Sequence, residues 1–496
     1  MLEVDTYILN ITVTSHLTGM CSNEVPIGPA NHATIGPTEE GLTLNNPAQR
    51  RRKTKVKLAN PLQAGIAGFL AQRGSQSDNL PTCSSVENLI SNLPKRYTLY
   101  LPLLLLPANV FRATPEWKDF SAELSSTEKQ ELYARISAAF KGQRCDVTHI
   151  AINAPISAEV ETDPGQGERG TENIMRSPAG LVPLHGNWGP RKLLAQIDRV
   201  GLTETGQPAN EDFERAFWVS AVQNSGVMQV WAPLWTMFSR GNIKEKARIL
   251  GEGKEVFEGL ADGSLNSLLR QELRDISVVD LFIGIGYFAF SYLKRGVGLV
   301  WGWEINGWSV EGLRRGCIRN GWRVKVLTVR GDGLVVDEQG RKGNEALKEL
   351  AESLDNAQGK LDGKAAIRCV VFHGDNKWST RTMAMLRDTM QEGSDKHKRV
   401  RHVNLGLLPH ARTSWQCSVK TLDSEMGGWL HVHENVNVRD LQKRKDEIVR
   451  EIGKLVDADV TKRGRWETSC CHLEEVKTYA PGVMHCVFDI QILPAR

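Results

Sequence analysis

Two acids and two glycines stand where they can hold a nucleoside. Asp280 ends one apolar run, Gly284 and Gly286 follow it, and Glu304 ends a second apolar run. Glycine lets backbone turn tightly and approach a ligand closely. A carboxylate at the end of the second run can accept hydrogen bonds from ribose hydroxyls. Gly284, Gly286 and Ala289 also satisfy the dinucleotide pattern G-x-G-x-x-G/A, but so short a pattern is weakly specific. Asp280 separates the two readings. An acid beside the glycine turn suits an ammonium group and repels a pyrophosphate. The local chemistry therefore favours S-adenosylmethionine over a nicotinamide dinucleotide.

The elements needed to position these groups are legible around them. Val278–Asp280 and the run ending at Glu304 read as strands, with a helix-like segment between them. In an open α/β sheet a ligand binds outside the carboxyl ends of the strands. Trp308–Asn320 reads as a helix, with Val310, Leu313 and Cys317 at helical spacing. Val324–Val329, Ala366–His373, His402–Leu408 and Gly428–Glu434 read as further strands. Val438–Val456 reads as a helix, and the last strands lie near Trp466–Tyr479 and Met484–Leu493. The expected class is α/β, doubly wound and Rossmann-like.

Composition bounds the remaining choices. The 496 residues suffice for two or three domains. A net charge of +4 is too small to demonstrate nucleic-acid binding, so local clusters must carry that argument. The nine cysteines form no C-x-x-C pair, which argues against a zinc site or a disulfide framework and fits a reducing, cytoplasmic compartment. The N-terminus lacks a basic stretch before an apolar core, so no secretory signal is expected. The apolar run Tyr97–Phe111 is too short to span a membrane and contains Pro102 and Pro107.

Three regions are expected. Residues 1–85, rich in Pro, Gly, Asn, Thr and Ser, read as a low-complexity, partly disordered extension with a basic cluster, Arg50–Lys57. Residues 86–265 read as an α+β region with a connecting module. It has strands at Tyr97–Leu106, Val147–Asn153, Ala216–Val222 and Gly226–Ala232, and helices at Ser126–Phe140 and Ile243–Leu250. Residues 266–496 read as the cofactor-binding domain, with residues 331–364, charged, glycine-rich and partly helical, as an insertion.

Several segments together resemble one family. They are Asn-Ile-Met-Arg-Ser-Pro (173–178), Leu-Val-Pro-Leu-His-Gly-Asn-Trp-Gly-Pro (181–190) and Met-Phe-Ser-Arg-Gly-Asn-Ile-Lys-Glu-Lys-Ala-Arg-Ile (237–249). Phe-His-Gly-Asp-Asn (372–376), Val-Asn-Leu-Gly-Leu-Leu-Pro (403–409) and Gly-Gly-Trp-Leu-His-Val-His-Glu-Asn-Val (427–436) complete the set. In order and spacing they resemble the tRNA wybutosine-synthesizing protein 2 family in a fungal form, over roughly residues 95–495. The resemblance implies a class I methyltransferase-like fold and an N-terminal tRNA-handling region. It also implies transfer of the 3-amino-3-carboxypropyl group of S-adenosylmethionine to 4-demethylwyosine at position 37, beside the anticodon of phenylalanine tRNA. A sister family methylates N1 of that guanosine and typically carries Asn-Leu-Pro after the fourth strand. Asn404-Leu405-Gly406-Leu407-Leu408-Pro409 departs from that pattern and favours aminocarboxypropyl transfer.

The resemblance also implies a cofactor site. Ser239 and Lys246 match family positions that contact the cofactor, and a lysine suits its carboxylate. Glu304 matches the ribose-binding acid. Asp375-Asn376 matches the pair that reads the adenine, with Gly331-Asp332-Gly333 as a competitor for that role. With Asp280, Gly284 and Gly286 these residues form the expected cofactor site. No catalytic side chain is assigned. Arg176, Arg240, Lys244 and Arg248 are candidates for tRNA phosphate contacts. Trp218, Trp231, Trp235 and Trp301 could stack bases but read more simply as core. His431 and His433 share a strand face, yet no third ligand stands at a zinc spacing, and no metal is expected. The rival readings are a tRNA guanosine N1-methyltransferase, a non-catalytic RNA-binding protein and, more remotely, an oxidoreductase.

Overall fold

A computed structural model describes residues 60–76, 89, 92–153, 159–160, 171–172, 176, 178, 180–189, 208–239, 241–260, 273–359, 366–390 and 399–495. These belong to the unit Ala59–Arg496; the other unit, Met1–Leu58, lies outside them, as does the basic cluster Arg50–Lys57.

The N-terminal region is built on helices α1 (Pro61–Gln76) and α2 (Ser126–Gly142) and a four-stranded sheet. Ser125 and Glu128 form a capping box at the start of α2. The Ser125 N–H donates to Glu128 Oε2 at 2.8 Å, and the Glu128 N–H donates to Ser125 Oγ at 3.3 Å. The expected single strand Tyr97–Leu106 is a hairpin, β1 (Thr98–Tyr100) and β2 (Leu103–Pro107). It breaks at Leu101-Pro102 because proline has no N–H for a ladder. Strand β2 pairs in parallel with β3 (His149–Asn153). A two-residue ladder, β4 (Glu159–Val160) with β5 (Thr171–Glu172), follows, and β6 (Val182–His185) runs antiparallel to β3. Leu62, Ile66, Phe69 and Leu70 of α1 are buried with Leu132, Ile136 and Phe140 of α2. Residues 61–76 therefore belong to the folded region, which corrects the boundary drawn at residue 85. Their stripe of four large apolar residues was the overlooked signal.

The connecting module pairs β7 (Val219–Val222) with β8 (Met228–Trp231) and continues into helix α3 (Ile243–Leu250). Helix α3 ends at Gly251, whose φ of +78° closes it in the left-handed conformation.

The large sheet contains β9 (Ser277–Asp280), β10 (Leu299–Glu304), β11 (Arg323–Val329), β12 (Val335–Asp337) and β13 (Ile367–His373). It continues with β14 (Val400–Leu405), β15 (Gly428–Asn437), β16 (Trp466–Ala480) and β17 (Val483–Pro494). Their spatial order is β12-β11-β13-β10-β9-β14-β15-β17-β16. Strands β11, β13, β10, β9, β14 and β15 are parallel; β12 pairs antiparallel with β11, β17 with β15, and β16 with β17. The connecting helices are α4 (Ala289–Arg295), α5 (Gly307–Arg319), α6 (Asn344–Gly359), α7 (Ser379–Thr389), α8 (Trp415–Thr421) and α9 (Leu441–Asp457). Neighbouring strand residues divide between the two faces. Val278 and Val300 pack with Phe290 and Leu313, whereas Val279 and Trp301 pack with Leu350 and Leu386. Burial on both faces explains why these strands read as apolar runs rather than alternations. The chain runs from β9 to β10 on one side and later returns to β14 on the other. The crevice beyond the β9 carboxyl end is thus a topological switch point.

The described part of the expected insertion, residues 331–359, is built into the sheet and core. Strand β12 extends the sheet beside β11, and Ala346, Leu347, Leu350, Ala351 and Leu354 of α6 are buried in the main core. The charged outer face of α6 masked this inner stripe. Among the described residues no helix is long and apolar enough to cross a membrane.

Candidate functional site

The sheet brings the predicted cofactor residues to one rim. Asp280 closes β9, where its Oδ1 accepts the Phe282 N–H at 3.1 Å. Its Oδ2 is buried, and the Asn404 amide beside the carboxylate stabilises its charge. Burial is the main cause that pushes its carboxyl up to about 7, with the nearby Glu304 charge adding to the rise. Glu304 closes β10. Its Oε2 accepts the Gly284 N–H at 2.9 Å and its Oε1 accepts the Asn306 N–H at 2.8 Å. Desolvation raises this carboxyl to about 6, against the pull of those backbone donors.

The glycine turn lies directly above these acids. Gly284 and Gly286 adopt φ of +55° and +86°, where a side chain is strained. A Cβ at Gly284 would meet the Tyr287 ring at 2.8 Å and stand 4.0 Å from Glu304 Oε2. Strand β8 supports the turn from outside, since Gln229 Nε2 donates to the Gly286 carbonyl at 3.2 Å.

Lys246 reaches the same turn from α3. It is buried, and Nζ donates to Gln229 Oε1 at 3.1 Å. The ammonium also stands 5.7 Å from the Tyr287 ring centre. No carboxylate among the described residues pairs with it, and burial lowers its pKa to about 8. The Tyr287 hydroxyl donates to the Met237 carbonyl and also bonds the Ser239 backbone, which docks the Ser239 segment on the turn.

Asp375 and Asn376 follow β13, the strand beside β10. Asn376 Nδ2 donates to the Leu281 carbonyl at 2.8 Å, bridging β13 to the loop after β9. Asp375 is half-exposed. It accepts the Lys377 N–H at 2.9 Å and pairs with Lys377 Nζ at 3.1 Å. Asp332 lies one strand further out, beyond β11, where it caps the turn through the Leu334 N–H at 2.9 Å.

Asn404 was not singled out from the sequence as a site residue. It stands near the end of β14 in register with Asp280, is 1% exposed, and its amide stabilises the Asp280 carboxylate. Its only sequence signal was its place in the Val-Asn-Leu motif. Gln229 and Tyr287 carried no signal, because their roles depend on a module joined to the turn by tertiary packing.

The tRNA candidates fare differently. Arg176 is half-buried and donates to the Leu408 carbonyl, so it stands at the loop after β14. Lys244 keeps its stem in solvent but pairs with Glu474 at 2.5 Å and donates to the Glu475 carbonyl at 2.9 Å. Arg240 lies outside the described residues. Arg248 is corrected: it is 2% exposed and locked between Glu245 and Asp489, where a phosphate has no access. The tryptophans resolve as packing, with Trp231 stacked on Phe238 and Trp235 on Trp308. His431 and His433 are buried. His431 bonds Asp489 at 2.7 Å and His433 bonds His485 at 3.1 Å.

The rim therefore offers two acids without a basic partner among the described residues, an ammonium without an acid, and a buried amide beside one of the acids. That set complements a cation, a carboxylate and hydrogen-bonding groups on one ligand.

No family profile matches the chain. It is 33% identical over 403 residues to the tRNA wybutosine-synthesizing protein 2 of Schizosaccharomyces pombe, covering 80% of this chain and 73% of that protein. It is 27% identical to the protein of that name from Saccharomyces cerevisiae, covering 88% and 81% respectively. Among solved structures it is similar to P. horikoshii TYW2 in complex with MeSAdo, at 16% identity and a TM-score of 0.45. That match covers 87% of this chain and all of the other.

Proposed function

Since the chain belongs to the tRNA wybutosine-synthesizing protein 2 family, we propose that it transfers the 3-amino-3-carboxypropyl group of S-adenosylmethionine to 4-demethylwyosine at position 37 of phenylalanine tRNA. Methylthioadenosine is then the second product. At the coarser level it is an S-adenosylmethionine-dependent tRNA-modifying transferase. The observation that carries the reading is the family match over most of both chains, joined by a rim whose charged groups fit this cofactor.

The cofactor's amino-acid arm is a zwitterion beside a sulfonium. Asp280 Oδ2 fits the cationic side and Lys246 the carboxylate. Glu304 fits the ribose, and Asp375 with Asn376 the adenine edge. The sulfonium supplies a good leaving group, so the protein's contribution is to align the chosen carbon and exclude water. Attack at the γ-carbon breaks its bond to sulfur and forms a bond to the base. Attack at the methyl group instead leaves S-adenosylhomocysteine. No side chain is assigned as a base. Gly406-Leu407-Leu408-Pro409-His410, where methylating relatives carry Asn-Leu-Pro, favours the first outcome. Arg176 and Lys244 remain candidates for tRNA contact, and a cytoplasmic location fits the free thiols among the described cysteines.

The test is incubation with S-adenosylmethionine and tRNA carrying 4-demethylwyosine. Methylthioadenosine and an aminocarboxypropylated nucleoside are expected, read by chromatography and mass spectrometry. No aminocarboxypropyl product there, with S-adenosylhomocysteine and N1-methylguanosine formed instead on tRNA carrying unmodified guanosine at position 37, would overturn the reading in favour of the methyltransferase.

A further inference from the structure

A chain of buried charged and polar groups runs beneath helix α3, and nothing in the transfer chemistry uses it. Arg248 Nε and Nη2 each donate to Glu245 at 2.9 Å. Its Nη1 donates to Asp489 Oδ2 at 2.6 Å and its Nη2 to Oδ1 at 3.3 Å. His431 Nδ1 meets Asp489 Oδ1 at 2.7 Å, and His402 Nδ1 meets His431 Nε2 at 3.0 Å. The guanidinium also lies 4.6 Å from the centre of the Phe257 ring. Arg248, Glu245, Asp489, His431 and His402 are all 2% exposed or less.

Stability alone is a poor reason for such a cluster. Desolvating a guanidinium and two carboxylates costs several kcal/mol per ion, and apolar replacements of similar volume are often at least as stable. What the cluster adds is direction. An arginine fork accepts carboxylates in one geometry, which an apolar contact does not demand. Helix α3 needs such a constraint, because eight residues are too few to hold a helix by themselves. Arg248 ties α3 to β17, and through His431 to β15 and His402 to β14. Two residues earlier on the same helix, Lys246 faces Gln229 and the glycine turn. A slip of one residue would carry the ammonium about 1.5 Å along the axis and turn it by about 100°. It would then lose Gln229 and the turn.

We infer that Arg248 and Asp489 are positioning residues. Their buried fork fixes the register of α3 on the sheet and so holds the Lys246 ammonium where it captures the cofactor's carboxylate. This rests on the reading of Lys246 as the carboxylate's partner.

The experiment compares two ligands on the full chain by calorimetry. S-adenosylmethionine carries the carboxylate and methylthioadenosine lacks it. The measured quantity is the ratio of their dissociation constants, in wild type and in Arg248→Lys, Asp489→Asn and Lys246→Met. The preference for S-adenosylmethionine should fall by about tenfold or more in all three, with methylthioadenosine affinity held within about twofold. Retained methylthioadenosine binding also reports that the variants are folded. If Lys246→Met loses the preference and the other two keep it, the positioning role is overturned and the reading of Lys246 stands. If Lys246→Met keeps the preference, both fall. If affinity for the two ligands drops in parallel in Arg248→Lys and Asp489→Asn, the cluster merely supports the fold, and the inference is overturned.

Discussion

Asp280 and Asn404 are partners in the register of β9 and β14, and the buried Asn404 amide stabilises the Asp280 carboxylate there. The pair stands at the switch point where doubly wound sheets bind ligands. Burial still raises the Asp280 carboxyl to about 7, so its ionised form is disfavoured there until a cation meets it.

Asp280→Asn separates these two demands. The folded state holds the Asp280 proton more tightly than the unfolded chain, with the carboxyl raised from 3.8 to about 7. The sign follows: its contribution makes the ligand-free protein less stable as pH rises from about 4 to about 7. The asparagine variant should melt higher than wild type at pH 8, by up to about 4 kcal/mol. It should also bind S-adenosylmethionine roughly tenfold more weakly. Melting curves across pH, paired with titration calorimetry, check both. A variant that melts lower at pH 8 and binds normally would remove Asp280 from the site.

Cofactor affinity should pass through a maximum between about pH 7 and pH 8. Below about 7 Asp280 in the free protein is protonated and loses its attraction for a cation. Above about 8 Lys246 is neutral and loses its attraction for a carboxylate. Methylthioadenosine should show a flatter profile on both limbs. A profile for S-adenosylmethionine that rises steadily through pH 9 would contradict the role of Lys246.

The parallel strands and the glycine turn were legible because fully buried β-strands and positive-φ turns restrict residue choice strongly. Val278–Asp280, the run to Glu304 and Gly284 needed nothing beyond local sequence. The core packing of helix α6 was not legible because its charged face outweighed the spacing of Leu347, Leu350 and Leu354. Arg248 was misread because an arginine on a charged helix looks solvated until its partner, 241 residues distant, is known. A check on the corrected reading is Leu350→Ala. Burial at 0% exposure in the main core predicts a loss of about 2–5 kcal/mol in chemical denaturation. A peripheral insertion would leave stability unchanged.

Association with tRNA should weaken with salt, because basic groups that meet phosphates release counterions. Arg248→Met should leave the salt slope unchanged, since that guanidinium is buried and paired. Lys244→Ala frees Glu474 and removes an exposed charge, so it should make the slope shallower. Binding measured over a range of salt separates the two. Equal slopes for wild type and Lys244→Ala would place the tRNA elsewhere.

The adenine end of the site rests on a choice between two acids. Glu304 lies next to β13, and Asp375-Asn376 follows that strand, with Asn376 bridging to the Leu281 carbonyl at 2.8 Å. Asp332 is one strand removed and serves its own turn through the Leu334 N–H. Glu304→Ala removes the acceptor of the Gly284 N–H and the proposed ribose partner. Losing a hydrogen bond to a charged group costs about 1.5–3 kcal/mol, or roughly ten- to a hundredfold in affinity. Asp375→Ala should fall in the same range. Its half-exposed carboxylate already has Lys377 as a partner, which places it toward the lower end. Asp332→Ala should change cofactor affinity by less than about threefold, because its side chain acts two strands from β10. Calorimetric titration of the three variants orders them. Should Asp332→Ala prove more damaging than Asp375→Ala, the adenine is read from the β11 end and the assignment of Asp375-Asn376 is wrong.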